Sequence, residues 1–345
     1  VSLEDISAPD EYTVVLIYGG APPAADAGDA GIYALTSDVG PLAVESVDYD
    51  PDSHAATLTT AKQKLGIPYT LTVTPPGGAA ADLSADFPSA DTATFWIYDW
   101  STGGQLEQTA VRVEIGETCV VYIEEGAGVA IGDTVQNFDE EVYPTETALF
   151  IDAPDLDGNG KITILGLDGQ GNYGGYFDPT NAYTDEQAMS WWGMHSNEME
   201  IIHLDVNYGF DMDDTVAPHE FQHLLYQERH GENWDWTYHN EGLAECAVRA
   251  VTGGYEYAID FYFWDYQSLI AQGLSLVDWN YALYENYVVA FLFWSYVAAQ
   301  LDGIDTYSDI FDLDTGSPEE VQDFLVDGLG LDFADVQLNQ MIATF

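Results

Sequence analysis

The amino-acid sequence predicts an α+β protein in which an all-β, sandwich-like N-terminal domain (residues 1–90) precedes a second domain (91–345). The second domain is predicted to have a mixed sheet and a helical C-terminal half. Three observations favour this class. β-branched and aromatic runs alternate with Gly, Pro and Asp breaks up to about residue 125, and helix-capping patterns dominate beyond residue 185. The stretch "TPPGGAAADLSADFPSADT" (74–92) has no periodic apolar face, so the domain boundary is placed inside it.

Six runs are predicted to be strands because they are short and rich in β-branched and aromatic residues. They are "YTVVLIY" (12–18), "YTLTVT" (69–74), "TATFWIYDW" (92–100), "CVVYIEE" (119–125), "KITIL" (161–165) and "MEIIHLDV" (199–206). The last two lie between the β-rich half and the helical half. They therefore predict that the second domain combines strands and helices.

Three helices are predicted in the C-terminal half. The segment "DTVAPHEFQHLLYQERHG" (214–231) begins with Asp and Thr cap candidates, carries a proline in its first turn, where a helix tolerates it, and ends on glycine. The segment "NEGLAECAVRAVTGG" is predicted to begin at Asn240 and to end at Gly253 and Gly254, a left-handed cap signal. A third helix is expected over residues 286–300.

The chain carries 60 Asp and Glu residues but only 6 Lys and Arg residues, a formal net charge of −54. Nucleic acid is excluded as a partner because there are too few cations to neutralise phosphates, and the same argument excludes an anionic membrane surface. This self-repulsion predicts a protein that works in salt-rich or calcium-rich surroundings. The apolar run "YVVAFLFWSYVAA" (287–299) is too short to span a bilayer, so no membrane insertion is expected.

Two histidines lie four residues apart in "HEFQH", so both imidazoles should project from one face of the predicted helix. This spacing suits two nitrogen ligands of a tetrahedral Zn²⁺ ion. Glu220 follows the first histidine, where its carboxylate can reach a water on the metal rather than the metal itself. His219, His223 and Glu220 therefore predict a hydrolytic zinc site, although the bare motif also occurs by chance.

A third ligand decides between the families of such sites. The metzincin pattern requires Gly and His where this chain has Tyr226 and Arg229, so that pattern is absent. Glu241 instead follows His223 by 18 positions, at the beginning of the next helix, and Glu245 lies four residues further on the same face. One carboxylate could complete the metal shell while the other supports a ligand histidine.

"HEFQH" followed by "NEGLAE" resembles the gluzincin metallopeptidases, the thermolysin and aminopeptidase clan. Within that clan, "SNEMEIIHLDV", "APHEFQHLLY" and "NEGLAE" are most similar to the hyicolysin-like secreted peptidases, and more loosely to the immune inhibitor A type. The resemblance covers roughly residues 92–300 and none of the first 90. It implies a zincin-type catalytic domain and a secreted, extracellular protein that acts on proteins or peptides.

The resemblance also implies roles for individual residues. The zinc ligands would be His219, His223 and Glu241. Glu220 would be the general base that activates a zinc-bound water, and Glu245 would support a ligand histidine. Because the spacing from His223 to Glu241 is slightly shorter than in thermolysin-like enzymes, Glu245 stays an alternative ligand. An oxyanion-stabilising tyrosine is expected in "NYALYENYVVAF", which offers Tyr281, Tyr284 and Tyr287; Tyr287 is favoured, then Tyr284.

The expected activity is thus that of a zinc-dependent endopeptidase. One alternative is a catalytically degenerate, zinc-containing surface or adhesion module, although the catalytic glutamate is retained. Another is an aminopeptidase, but the Gly-x-Met-Glu-Asn type strand of that group is absent. Cleavage preference, natural substrate, oligomeric state and the role of the first domain do not follow from the sequence, nor does the pairing of Cys119 with Cys246.

The segment "DAPDLDGNGKITIL" contains a candidate calcium loop. Asp155, Asp157 and Asn159 alternate, with Gly160 next, as in the first half of an EF-hand loop. The twelfth position is Gly166 rather than Glu, so Asp152 or Asp168 would have to supply missing oxygens. The alternative is a tight turn between strands without any metal.

Overall fold

The computed structural model describes residues 2–75, 81–169, 173–207, 215–231, 236–254, 273–281 and 283–344. The chain divides into two compact units, each built from separate segments. The first consists of Val1–Val129, Asp155–Asp168 and Tyr183–Glu200, and the second of Ala130–Pro154, Gly169–Ala182 and Ile201–Phe345. The described residues form several sheets and helices, which confirms the α+β class.

The described part of the first ninety residues is built mainly from strands. They are β1 Leu3–Asp10, β2 Thr13–Tyr18, β3 Tyr33–Ser37, β4 Gly40–Leu42, β5 Val44–Asp50, β6 Ala55–Thr60, β7 Pro68–Val73 and β8 Leu83–Pro88. Two antiparallel four-stranded sheets result, with the orders β1-β2-β6-β5 and β4-β3-β7-β8.

One apolar core joins these two sheets. Side chains alternate between buried and more exposed along β2, β6 and β7, as expected for strands with one covered face. Leu16 and Leu58 from one sheet and Leu71 from the other are fully buried, and the cluster extends from Ala8 to Phe87. Two facing antiparallel sheets with a shared core are the arrangement of a β-sandwich.

A further sheet belongs to the first unit. It contains β9 Thr92–Asp99, β10 Gly104–Ile115, β11 Cys119–Glu124 and β12 Ile162–Leu167. These four strands are hydrogen-bonded in the order β12-β11-β10-β9, and of the three pairs only β11–β12 is parallel. The boundary predicted near residue 90 falls between β8 and β9, inside the first unit. The division into domains 1–90 and 91–345 therefore stays a prediction from the sequence.

In the second unit β13 (Gly175–Phe177) pairs antiparallel with β14 (Ile201–Asp205). The α-helices of the described chain are α1 Ala24–Ala27, α2 Thr134–Asn137, α3 Tyr143–Leu149, α4 Asp185–Trp191, α5 Val216–His230, α6 Thr237–Thr252, α7 Glu285–Gln300, α8 Thr306–Phe311, α9 Pro318–Leu329 and α10 Phe333–Thr344. A π-helical turn, Phe138–Val142, connects α2 to α3.

The three predicted helices correspond to α5, α6 and α7. Helix α5 ends at Gly231, and α6 ends at Gly253, whose left-handed φ of 72° confirms the predicted cap. Helix α6 begins at Thr237, three residues before the predicted start. Within the described residues no single helix has the length and hydropathy for a bilayer crossing, although the bent pair Glu285–Gln300 and Gly303–Phe311 together do, with an angle of 118°.

Candidate metal centre

Helix α5 carries the HEFQH motif and is buried along most of its length. It packs against β13, β14 and α6 within the second unit. Gly175 on β13 allows the closest approach, because a Cβ at this position would lie 2.7 Å from Val216 Cγ1, 2.8 Å from His203 O and 2.9 Å from Glu220 Cγ. The beginning of α5 is therefore held against β13 without room for a side chain between them.

His219, His223 and Glu241, here called the histidine cluster, bring three ligand atoms together. The two Nε2 atoms lie 3.2 Å apart, and Glu241 Oε2 lies 3.3 Å from each of them. In a tetrahedral zinc site with ligand distances of about 2.0–2.1 Å, neighbouring ligand atoms are about 3.3–3.4 Å apart. The three atoms thus have the mutual separations of three corners of such a tetrahedron.

The other nitrogen of each histidine also has a contact. His223 Nδ1 lies 3.0 Å from Asn240 Oδ1, and His219 Nδ1 lies 3.3 Å from Glu245 Oε1. Because amide and carboxylate oxygens accept hydrogen bonds, each contact favours a proton on Nδ1. The Nε2 lone pairs are then left facing the centre of the cluster, which is the tautomer that metal-binding histidines need.

Opposite charges surround this centre. Burial lowers the pKa of His219, but its contacts with Glu241 and Glu245 outweigh burial, so the pKa lies well above 6.5. Burial raises the pKa of Glu241, but the neighbouring His223 and His219 outweigh it and lower the pKa to about 2. Glu241 Oε2 is nevertheless a buried oxygen with no well-directed hydrogen bond among the described residues. A cation between the three atoms would satisfy this oxygen, so the donor set fits a metal ion.

Glu220 lies next to the cluster and is not one of its three ligand atoms. Its side chain is buried, and burial raises the pKa of its carboxyl group, while the neighbouring His219 and His223 lower it. The backbone N–H of Phe177 on β13 donates a hydrogen bond to it. The carboxylate is therefore fixed on the side of the cluster that faces β13.

Of the predicted tyrosines, Tyr287 on α7 lies nearest to the histidines. Its ring centroid is 6.2 Å from that of His219. Burial raises its pKa, as do the charges of Glu241 and Glu220, so the hydroxyl stays protonated. Tyr284 is 55% exposed, and its ring lies 6.4 Å from that of Tyr287. Tyr281 is 66% exposed, and its hydroxyl lies 3.4 Å from Thr237 Oγ1.

Glu146 on α3 is a neighbour that the sequence analysis missed. Its side chain is fully buried, and neither carboxylate oxygen has a hydrogen-bond partner among the described residues. Burial raises its pKa well above 4.5, and the charge of His219 only partly opposes this. A glutamate in a short, acidic helix gives no sequence signal for such a position.

Four other histidines make contacts elsewhere. His239 Nε2 lies 2.8 Å from Ile310 O and its Nδ1 lies 2.9 Å from Tyr226 Oη. His203 stacks on Tyr176 with ring centroids 4.1 Å apart. His195 and His230 contact Asp185 and the Phe311 carbonyl, respectively. Both cysteines, Cys119 and Cys246, are buried, and no disulfide joins them.

The candidate calcium loop lies in the first unit, where a distant residue joins it. Asp155, Asp157 and Glu200, here called the carboxylate cluster, each offer one oxygen within 4.8 Å of the others. Asn159 Oδ1 accepts the N–H of Lys161, and its Nδ2 donates to Asp157 Oδ2. Glu200 lies 43 positions after Asp157, at the start of a predicted strand, so local spacing does not connect it to the loop.

Comparison with known proteins gives one distant relative. The chain is 28% identical over 210 residues to the neutral metalloprotease ShpI of Staphylococcus hyicus, covering 53% of this chain and 44% of that protein. The chain thus spans less than half the length of this relative. No family model matches the sequence.

Among solved structures, the S-layer protein rSbsC(31-844) has a TM-score of 0.24 at 17% identity over 29% of this chain and 15% of its own. A structure of SbsC domains 1-6 has a TM-score of 0.21 at 12% identity over 38% of this chain and 24% of its own. These values are too low to carry an argument about fold. The similarity to the neutral metalloprotease supports a distant metalloprotease relationship.

Proposed function

We propose that this protein is a zinc-dependent endopeptidase of the gluzincin type. The observation that carries the proposal is the near-equilateral triangle of His219 Nε2, His223 Nε2 and Glu241 Oε2, with edges of 3.2–3.3 Å. Two imidazoles and one carboxylate are the donor set of catalytic zinc sites, which keep a further position open. The distant similarity to a neutral metalloprotease supports the same reaction class.

The proposed zinc would be held by His219, His223 and Glu241, while Asn240 and Glu245 hold the imidazoles in place. Zinc, when bound, polarises a peptide carbonyl and lowers the pKa of water. Glu220 would accept a proton from the attacking water and pass it to the leaving amine. Its burial and its fixed position beside the cluster suit this transfer.

Tyr287 would donate a hydrogen bond to the carbonyl oxygen as negative charge develops there. The raised pKa of its hydroxyl keeps the donor proton in place at neutral pH. Tyr284 is the second choice, because its side chain is more exposed than that of Tyr287 and its ring lies 6.4 Å from the Tyr287 ring. Protein or peptide substrates in a secreted, extracellular and salt-rich setting are part of this proposal, as is the absence of nucleic acid and of membrane insertion.

Glu220→Gln tests the proposal because it keeps the side chain's volume and removes its basicity. We expect the variant to bind one zinc per chain, as the unmodified protein does, and to hydrolyse casein about 100- to 10,000-fold more slowly. Glu228→Gln is the matched control, since Glu228 is exposed on the same helix. It should retain full activity and zinc content.

The other outcomes separate the alternatives. Zinc in every variant without hydrolysis in any would favour a degenerate surface or adhesion module. Hydrolysis of peptides with a free amino terminus, and none of blocked peptides or casein, would favour an aminopeptidase. If the unmodified protein binds no zinc, the assignment of the histidine cluster is wrong.

A further inference from the structure

The negative charge of the carboxylate cluster is balanced only in part, by the longer-range attraction between Lys64 and Asp157. In the described part of the chain, no lysine or arginine nitrogen lies within 4.0 Å of its three carboxylates. The nearby Lys64 amine instead donates to the backbone carbonyl of Gly158, at 3.1 Å. Asp155 is exposed, Asp157 is half-buried and Glu200 is buried, and each offers an oxygen within 4.8 Å of the others, so the two less exposed carboxylates repel when both are charged.

Glu200 is the residue that sets this cluster apart from an exposed acidic patch. It is only 2% exposed, and its Oε2 is buried and has no hydrogen-bond partner among the described residues. Its other oxygen accepts the N–H of Leu156, which fixes the carboxylate against the loop. A buried carboxylate oxygen without a donor is costly unless a cation or a proton satisfies it.

Hydrogen bonds within the loop from Asp155 to Gly160 hold its two aspartate carboxylates in fixed positions. Asp157 accepts the backbone N–H and the side-chain N–H of Asn159 at 3.0 and 2.9 Å, and Asp155 accepts the N–H of Gly160 at 2.9 Å. Gly158 and Gly160 have φ values of 72° and 70°, which favour glycine. Asn159 Nδ2 also bonds to Leu65 O at 3.2 Å, so the loop is held to the body of the unit.

We propose that Asp155, Asp157 and Glu200 bind one Ca²⁺ ion. The ligands are all carboxylate oxygens, which suit a hard cation, and calcium tolerates a shell that water completes. Asn159 positions Asp157 rather than ligating the ion. The proposal is independent of the zinc peptidase function, because its residues lie in the first unit and share none with the histidine cluster.

Calcium here would join two parts of the chain that are far apart in sequence. The loop directly precedes β12, and the carbonyl of Glu200 accepts the N–H of Thr163 on that strand at 2.8 Å. Glu200 is also the last residue before β14 begins. The ion would therefore stabilise the position at which the chain enters β14.

Calcium titration of the zinc-loaded full chain tests the proposal, using calorimetry and thermal melting in high monovalent salt. The salt screens diffuse binding to the many other carboxylates. We expect one saturable Ca²⁺ per chain, and a Tm that rises with calcium. In Glu200→Gln the affinity should fall at least about tenfold, and calcium should no longer raise the Tm. Glu107→Gln, at an exposed position on β10, should behave as the unmodified protein.

The Tm in calcium-free buffer and the zinc content distinguish a Glu200→Gln variant that misfolds from one that only fails to bind calcium. In calcium-free buffer Glu200→Gln should melt no lower than the unmodified protein, because an uncompensated buried charge has been removed, and its zinc content should be unchanged. Equal stabilisation of both proteins by calcium would overturn the proposal. So would a native chain that shows no saturable binding.

Discussion

The histidine cluster and the carboxylate cluster each bring three ligand atoms together, but they balance charge in different ways. In the first, imidazoles lie beside carboxylates and both Nδ1 atoms face an acceptor, so the charges offset one another. In the second, three carboxylates lie together without an ion pair to a lysine or arginine among the described residues, and the buried Oε2 of Glu200 has no hydrogen-bond donor among them. The nitrogen and oxygen donors of the first cluster therefore favour the proposed zinc ion, and the oxygen-only donors of the second favour the proposed hard cation.

Glu241→Gln should show the largest difference between the two clusters, because it should weaken zinc binding and leave calcium binding unchanged. Removing the anionic ligand is expected to weaken zinc binding by more than about 100-fold, because losses of that size already follow from changes to residues that only support a ligand. Calcium binding should stay unchanged. Zinc titration against a chromogenic chelator measures the effect, with Glu228→Gln as the control. If Glu241→Gln bound zinc as tightly as the unmodified protein, Glu245 would be the third ligand instead.

Glu245→Gln should have a smaller effect on the same cluster. Gln keeps a contact with His219 Nδ1 but removes the charge that favours the metal-binding tautomer, so we expect a loss of about 10- to 100-fold in zinc affinity. The comparison with Glu241→Gln identifies the third ligand. A larger loss in Glu245→Gln than in Glu241→Gln would reverse the assignment.

Gly175→Ala tests whether the histidine cluster depends on close packing against β13. The added methyl group would overlap with Val216, His203 and Glu220, so we expect about 1–3 kcal/mol of destabilisation and reduced hydrolysis. Gly104→Ala on β10 is the control, since its nearest contact would be an ordinary 3.6 Å. Denaturant unfolding and casein hydrolysis measure both effects. A fully stable and active Gly175→Ala protein would contradict the packing account.

Lowering the pH should change the stability of the protein in opposite directions through His203, near the histidine cluster, and Asp157, in the carboxylate cluster. Burial lowers the pKa of His203 to about 3, so its contribution to stability is present above pH ~6.5 and is lost as the pH falls towards 3. At about pH 5 the loss is about 2 kcal/mol. Burial and Glu200 raise the pKa of Asp157 to about 7, so its contribution is present below pH ~4 and is lost as the pH rises through 7.

Unfolding measured against pH in calcium-free buffer checks this contrast. His203→Phe, which keeps a ring against Tyr176, should flatten the loss of stability between pH ~6.5 and 5. Asp157→Asn should instead flatten the loss towards pH ~7. Profiles that superimpose on that of the unmodified protein would show that neither group is perturbed as described.

Local patterns predicted most of the histidine cluster. The spacing of His219 and His223 and the glycine ends of α5 and α6 follow from periodicity and capping within about thirty residues. The same patterns left Glu241 and Glu245 as alternatives, and the preference for Glu241 came from the gluzincin resemblance. The six predicted strands correspond to β2, β7, β9, β11, β12 and β14. These features depend on residues that are close together in the sequence, so they can be predicted from one sequence.

The remaining features depend on contacts between distant segments. Glu200 joins the loop at Asp155 across more than forty residues, and Glu146 reaches the surroundings of His219 from a separate short helix. The two units are also assembled from separate segments. Side-chain periodicity carries no information about which strand or helix becomes a neighbour, so a single sequence could not predict them.

The most direct test of the central claim is an anomalous difference map collected at the zinc edge from crystals of the zinc-loaded protein. If His219, His223 and Glu241 hold the zinc, the map contains one strong peak about 2.0–2.1 Å from His219 Nε2, His223 Nε2 and Glu241 Oε2. A fully loaded crystal whose zinc peak lies elsewhere, or that shows none at these three atoms, would rule out this assignment.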